Sequence, residues 1–350
     1  MKKLVNTAFI LGVLGASYLP HNTATASEAN IQHALFGHAL LRYEDEKHLT
    51  NLGNRERVRL IAQGGIKSTW TDNWQSTIRL STGLKNKQNV PAVTIHRFSE
   101  QKQPDNDIYI DQAFIQYSTS AVKVRIGKLP WQLYNVTDTF WDRHLNPYGV
   151  STSYGISSHQ TINGAVLLPL DGQKNSVGKM YLAQYKHQHK IDSFTLTFAP
   201  WLAIYQGEDG AIFAKRDTQY DHQSLRLSTE IKYNKWQLGF DVGKAFDTPD
   251  NDNKQDFSIS SELRYGGLKQ KGHWLLQLGH SRVERYAVIR EFGQNARAAA
   301  LTTNFTGWDI RWRYKLNSKL WLGTRVSKLK SIVGAPIQSN RFRIEARWAF

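Results

Sequence analysis

Arg341-Phe342-Arg343-Ile344-Glu345-Ala346-Arg347-Trp348-Ala349-Phe350 ends the chain. Apolar and charged residues alternate there with period two, up to a terminal aromatic. Phe342, Ile344, Ala346, Trp348 and Phe350 share one face, and Arg341, Arg343, Glu345 and Arg347 the other. Side chains of a strand point alternately to opposite faces, so this segment needs oil on one side and water on the other. A last strand closing a barrel in an outer membrane meets both conditions. An edge strand of a soluble sandwich is the plainer alternative, because one buried and one wet face is common in any antiparallel sheet.

The other end of the sequence agrees with export. Lys2 and Lys3 form a basic start, Leu4 to Leu19 is mostly apolar, and Ala24-Thr25-Ala26 supplies small residues for a signal peptidase. Residues 1–26 are therefore expected to be a cleaved signal peptide, with the cut before Ser27, and 27–350 a single β-barrel domain. An uncleaved anchor is the alternative, and the small-residue site argues against it. No other stretch approaches the ~20 apolar residues of a spanning helix. The exported chain is then periplasmic, secreted or a barrel. Its terminal Phe350 also resembles the signal read by bacterial barrel-assembly machinery, which makes that machinery an expected partner.

Composition narrows the classes. The 350 residues include no cysteine, so disulfides and thiolate metal or redox sites are excluded. Hydropathy is negative overall, yet there are 11 Trp and 15 Tyr. That mixture suits a barrel in which alternate residues face lipid and aromatics gather at both interfaces. The formal charge of +16 would ordinarily suggest nucleic acid. Export makes nucleic acid improbable, and a positive lumen or contact with anionic lipopolysaccharide fits better.

Dyad alternation recurs along the chain in stretches of about ten residues. Val58, Leu60 and Ala62 alternate with Arg57, Arg59 and Gln63. Leu225, Leu227 and Ile231 alternate with Arg226, Ser228 and Lys232. Trp308, Ile310, Trp312 and Tyr314 alternate with Asp309, Arg311, Arg313 and Lys315. Asn234-Lys235, Leu316-Asn317-Ser318 and Ser118-Thr119-Ser120 are tight links. Long polar connections fall near 45–55, 85–106, 130–160, 207–221, 247–255, 284–303 and 330–339. Short turns on one rim, long loops on the other and both ends on the short-turn side require an even strand number. The expected fold is all-β, a transmembrane antiparallel barrel of sixteen strands. They lie near 34–44, 56–67, 73–84, 107–117, 120–129, 161–169, 178–186, 192–198, 201–206, 222–233, 236–246, 256–265, 272–283, 304–315, 319–329 and 340–350. Fourteen would keep parity too; the weak part is 178–206, where Pro200 interrupts. About sixteen strands leave an aqueous channel.

Gly53-Asn54-Arg55-Glu56-Arg57-Val58-Arg59-Leu60, then Trp74 to Gly83, then Ile110-Asp111-Gln112-Ala113-Phe114-Ile115-Gln116-Tyr117 resembles the opening of the bacterial "putative porin" family. Gly127-Lys128-Leu129-Pro130 and Trp141-Asp142-Arg143-His144-Leu145-Asn146-Pro147-Tyr148-Gly149 continue the likeness, as a strand ending Gly-Lys and a loop carrying Trp-Asp and Asn-Pro-x-Gly. The match covers roughly 53–160, with the closing strand as a second point. It implies an outer-membrane channel with no defined substrate. By analogy with channels of this size, a homotrimer is a candidate assembly.

Parity assigns the wall charges. Arg57, Arg59, Arg79, Arg125, Arg226, Arg311, Arg313, Arg341 and Arg343 are expected to line a pore, with Lys123, Arg264, Arg325 and Arg347 beside them. Arg282 shares the parity of Trp274, Leu276 and Leu278 and is assigned outward. Inward carboxylates are fewer: Glu230, Asp241, Glu262, Asp309 and Glu345. A charge on the lipid face costs ~2–4 kcal/mol at the midplane, so inward groups face water or one another. Arginine rings favour anions; a wall ladder of Arg–carboxylate pairs is the alternative. The 130–160 loop is the expected constriction, through Asp138, Trp141, Asp142, Arg143 and Asn146. Its acids would face the basic wall and set a transverse field across the opening; a surface loop packed on its neighbours is the alternative.

Catalytic readings are weaker. His159 and Asn163 with Ser157 or Ser158 loosely resemble an outer-membrane phospholipase, but the serine spacing is missing. His187 and His189 are too few for a metal site, and the acidic run Asp247 to Asp252 is a weak calcium candidate. The expectation is a non-enzymatic, cofactor-free diffusion channel for small hydrophilic solutes with anion preference. The rivals are a barrel hydrolase and a soluble exported β-sandwich binding protein.

Overall fold

A computed structural model describes residues 31–48, 53–83, 91–98, 107–169, 178–207, 221–246, 248, 255–290, 292–294 and 301–350. The expected signal peptide and its cut lie outside the described residues. The unit Gln32–Phe350 is a single sheet. Its strands are β1 (Gln32–His48), β2 (Arg55–Thr69), β3 (Trp74–Gly83), β4 (Val93–Arg97), β5 (Asp107–Ser118), β6 (Val122–Lys128), β7 (Tyr148–Ser157), β8 (Gln160–Leu168) and β9 (Lys179–Ile191). They continue as β10 (Phe194–Gln206), β11 (His222–Tyr233), β12 (Trp236–Phe246), β13 (Phe257–Gly266), β14 (Trp274–Val283), β15 (Phe305–Lys315), β16 (Leu320–Ser331) and β17 (Gln338–Ala349). No helix among the described residues is long and apolar enough to cross a membrane.

The sheet closes on itself. β1 pairs antiparallel with β2 through Leu40↔Ile61 and with β17 through Leu40↔Arg347. Gly37 and Phe350 exchange backbone hydrogen bonds of 3.0 and 3.1 Å where the two ends meet. Sixteen strands form the wall. β4 is extra: it pairs with β2 from Leu60↔Val93 to Arg57↔Arg97, beyond the stretch of β2 that β3 covers. A closed barrel excludes the soluble sandwich.

The expected count of sixteen came from two errors that cancel. Residues 148–157, expected as loop, form β7, and residues 192–198 and 201–206, expected as two strands, form β10. In β7 the outward Tyr148, Val150 and Tyr154 alternate with Gly149, Ser151 and Ser153, so small residues stand where charges mark other strands. Pro200 ends a ladder in most central strands because it has no N–H. Here it faces outward between Phe198 and Leu202. The register to β9 is the same on both sides of it, Phe198↔His187 and Trp201↔Gln184. The turn before β10 is tight, with Asp192 at φ 48°, a left-handed conformation that Asp tolerates better than most residues. β4 is the third departure, a strand inside the expected 85–106 loop.

Burial is inverted relative to a soluble protein. On β15, Ile310 is 47% exposed while Arg311 beside it is 7% exposed. Trp308 and Trp312 share the outward face, and Asp309 is buried on the inward one. The same reversal runs through Leu225 and Arg226 and through Ile344 and Arg343. An apolar surface of this extent is stable only against hydrocarbon. Aromatics crowd the short-turn rim: Trp74 on Tyr117 at 5.0 Å, Phe194 on Tyr233 at 4.4 Å, Trp236 on Tyr265 at 4.5 Å and Trp348 on Phe350 at 5.1 Å. These are interface positions, where amphipathic rings sit best.

Ion pairs hold the seam. Glu44 of β1 lies in register with Arg57 of β2 and Arg343 of β17, and contacts each at 2.5 Å. Glu46 meets Arg341 at 2.6 Å one row on. All are nearly excluded from water, so removing one partner strands a buried charge at a cost of about 3–5 kcal/mol. Glu44→Gln is therefore expected to destabilise closure by about 3 kcal/mol. The temperature at which heat-modifiable migration is lost should fall well below that of the parent.

Candidate functional site

The connection after β6 turns inward. One of its anchors is a β-bulge in β5, where Arg79 pairs with Gln112 and Leu80 with Ile110. The extra residue, Asp111, points inward together with Gln112, as a bulge allows. Asp111 accepts Nδ2–H of Asn146 at 2.6 Å, Nε2–H of Gln63 at 3.0 Å and Nε–H of Arg79 at 2.7 Å. Gln112 donates to Asn146 Oδ1 at 3.0 Å. One end of the 129–147 connection is thereby tied to the inner wall.

The far side is tied just as firmly. Asp241 of β12 accepts the backbone N–H of Val136 and Thr137 at 3.2 and 2.5 Å and the Thr137 hydroxyl at 2.6 Å. Tyr134 donates to Glu230 at 3.1 Å, and Gln184 brackets the Tyr134 backbone at 2.9 and 2.8 Å. Arg264 donates to the Val136 carbonyl at 2.9 Å. Aromatics fill the space between. Trp131 stacks on Trp141 at 4.8 Å, Trp141 meets Phe292 at 5.2 Å, and Phe140 meets Trp201 edge-on at 4.8 Å. Phe292 belongs to the connection between β14 and β15, and its carbonyl accepts Asp142 N–H at 2.7 Å. Two connections thus pack together against the inner wall.

Two cavities remain beside them. One of about 500 Å³ is lined by Arg42, Arg59, Arg79, Arg143, Arg311, Arg313, Arg325, Arg343 and Arg347, with Asp142 and Glu345 as its carboxylates. The other, about 460 Å³, is lined by Asp138, Arg143, Glu262, Arg264, Arg311 and Arg313 among others. Arg143, Gln294, Arg311 and Arg313 border both. Arg143 leaves 53% of its side chain accessible there.

The nine arginines expected to line a pore fall into three groups. Arg59, Arg79, Arg311, Arg313 and Arg343 border the larger cavity. Arg57 and Arg341 are buried in the seam pairs. Arg226 is 3% exposed, covered by the rings of Phe140 at 4.7 Å and Trp201 at 5.3 Å, and Arg125 donates to Gln116 at 2.7 Å near the short-turn rim. Of the loop residues, Asp138, Asp142 and Arg143 border the cavities, while Trp141 and Asn146 pack behind them. Arg282 is outward, bonded to Glu284 at 3.1 Å.

The transverse field expected from the loop's acids has no free carboxylate to set it at Asp138. That group is engaged by Arg143 and by Gln294 Nε2–H at 2.8 Å. Burial pushes the Asp138 carboxyl up, but Arg143 wins and holds it below the usual range. His144 is lowered to about 3 by burial and then by Arg143, so its imidazole is neutral. Parity reading passed over Arg42, Glu44 and Glu46, although their alternation with Leu41 and Tyr43 carries the signal. Asp111 and Gln294 had none, because a bulge and a loop break the period.

The hydrolase constellation is not assembled. Ser158 and His159 touch at 2.8 Å on the exposed β7–β8 turn, while Asn163 faces inward to Gln184 at 3.3 Å. His187 and His189 stack outward at 6.1 Å, and no group of three metal-binding side chains occurs among the described residues. Most of the acidic run from Asp247 to Asp252 lies outside the described residues.

Two outcomes are expected. Asp241→Ala removes the acceptor of three loop contacts, so single-channel conductance should rise and scatter between levels; unchanged conductance would mean the loop is held elsewhere. The folded pKa of His144 lies below its unfolded value of about 6.5, so its contribution to stability is lost as pH falls through that window. Between pH 7 and 5 the native lumen should show no step from this group. Conductance–pH curves of the parent and His144→Gln should therefore superimpose.

Residues 32–169 and 211–350 match the family described as "Putative porin". No curated protein matches. Among solved structures, the chain is similar to OccK9 (OpdG) of Pseudomonas aeruginosa, with TM-score 0.53 and 12% identity over 91% of this chain and 99% of that one. OccK5 (OpdH) of the same organism gives 0.52 and 12% over 91% and 98%. A mutant of the Rh. blastica porin gives 0.50 and 12% over 91% and 100%. At such identity the likeness to these structures is one of fold, and the family match carries the rest. The chain belongs to the "putative porin" family, and is a channel of the bacterial outer membrane rather than an enzyme.

Proposed function

We propose that this porin is a passive diffusion channel for small hydrophilic solutes that prefers anions. The observation carrying the reading is the imbalance of charge around the larger cavity, nine arginines against Asp142 and Glu345. Arginine rings in a narrow passage lower the energy of anions and raise that of cations. Low-dielectric walls focus the field along the opening. Arg143, Arg311 and Arg313, which border both cavities, are the residues a crossing ion would meet in turn. The loop that carries Asp138, Asp142 and Arg143 faces Arg311 and Arg313 of β15 and acts as the constriction.

Assembly follows from the two ends of the sequence. Residues 1–26 direct export, and the strand ending at Phe350 is read by barrel-assembly machinery. On the outer surface, Arg282, Lys328 and Lys330 stand exposed toward the long-loop rim. Such cations suit the phosphates of lipopolysaccharide.

A potassium chloride gradient across a planar bilayer tests the selectivity. The reversal potential should take the sign of anion permeation, and the opposite sign would refute the reading. The double variant Arg311→Gln, Arg313→Gln should lower the anion-to-cation ratio by roughly fivefold. That is the effect of about 1 kcal/mol between unit charges 4 Å apart in water.

A further inference from the structure

We propose that the larger cavity is a subsite for a small organic anion with a flat apolar body, a ring bearing one carboxylate. This rests on the anion-channel reading and deepens it. The starting observation is an apolar patch where a wet lumen gives no reason for one, since barrel interiors that carry water are polar. Leu40, Ile61 and Ala92 form a buried cluster on the inner side, and Trp321 packs against it. All four border the cavity.

Their placement follows from register. Across four neighbouring strands, Trp321 lies opposite Arg347, Arg347 opposite Leu40, and Leu40 opposite Ile61. One inward row therefore reads Trp–Arg–Leu–Ile. The row toward the long-loop rim reads Gly323, Glu345, Arg42 and Arg59, and the next holds the saturated seam pairs of Glu44. The Trp321 ring is fixed on two sides. Arg313 lies over it at 5.4 Å, and a Cβ on Gly323 would come within 3.1 Å of it.

Arg347 sits inside the apolar row and has no ion-pair partner among the described residues. It differs in this from Arg42, Arg57 and Arg343, which are paired at 2.7, 2.5 and 2.5 Å. A guanidinium fork without a partner, flanked by Leu40 and Trp321, matches a carboxylate attached to a ring. The carboxylate takes two parallel N–H bonds, and the ring leaves water against the apolar wall. Chloride and phosphate gain nothing from Leu40, Ile61 or Trp321. An uncharged ring leaves Arg347 without its partner.

Benzoate and acetate separate these terms, because each carries one carboxylate and only benzoate has a ring. In planar bilayers, the concentration of each that halves the chloride current of the whole porin is measured. Benzoate should act at about tenfold lower concentration, which is what one ring face removed from water is worth. Leu40→Ser with Ile61→Ser should bring the two probes together. Trp321→Ala alone should narrow the gap, and serves if the double variant loses heat-modifiable migration. Equal action of the two anions on the parent overturns the inference while leaving anion preference intact. A benzoate advantage that survives both sets of substitutions overturns it too. Cation selectivity in the potassium chloride gradient would overturn the channel reading and the subsite with it.

Discussion

Every strand of this wall separates hydrocarbon from electrolyte, and the rest of the structure depends on that division. Because side chains alternate across a strand, each second residue must satisfy the opposite solvent. Ile310 and Arg311 are neighbours in sequence and belong to different phases. The closed sheet removes the unpaired edges that lipid would not tolerate. It also gathers charged side chains into a tube, where they must find water or one another.

The seam shows how that second demand is met. Glu44 stands between Arg57 and Arg343, and Glu46 beside Arg341, so the strands that close the barrel are joined by charge as well as by backbone. Elsewhere Asp309 holds Arg325 at 2.6 Å, Asp241 holds the inward loop, and Glu230 serves both, accepting from Tyr134 of the loop and pairing with Lys232 at 2.8 Å. Pairing thereby sorts the basic residues. Those matched by carboxylates stiffen the wall or, as Arg143 on Asp138, the inward loop; Arg226 is sealed beneath Phe140 and Trp201, and Arg313 and Arg347 stand toward the larger cavity. The excess that remains after this sorting sets the character of the passage. The total charge of the chain does not.

Much of the wall was legible in the sequence because its period is short and its contrast large. Asp309 to Lys315 can be read by eye. β7 was missed because Gly149, Ser151 and Ser153 give weak contrast on its inner face. Pro200 suggested a break that the sheet absorbs on one side. Because one strand was lost and one was split, the number sixteen survived. The inward loop was legible from its aromatics, which do pack on the wall, but not from its acids, since Asp138 and Asp142 serve the loop itself. Partners across the barrel were the least accessible. Asp111 meets Asn146, 35 residues away, only because a bulge turns it inward, and no periodicity records that.

Site-directed labelling tests the phase boundary most directly, and the absence of native cysteine leaves a clean background. In reconstituted vesicles, Arg313→Cys should react with a membrane-impermeant maleimide. A bimane at Ile310→Cys should resist that reagent and be quenched by a lipid-phase quencher. Reaction at Ile310→Cys, with Arg313→Cys silent or quenched from the lipid, would place oil and water on the wrong sides of this wall.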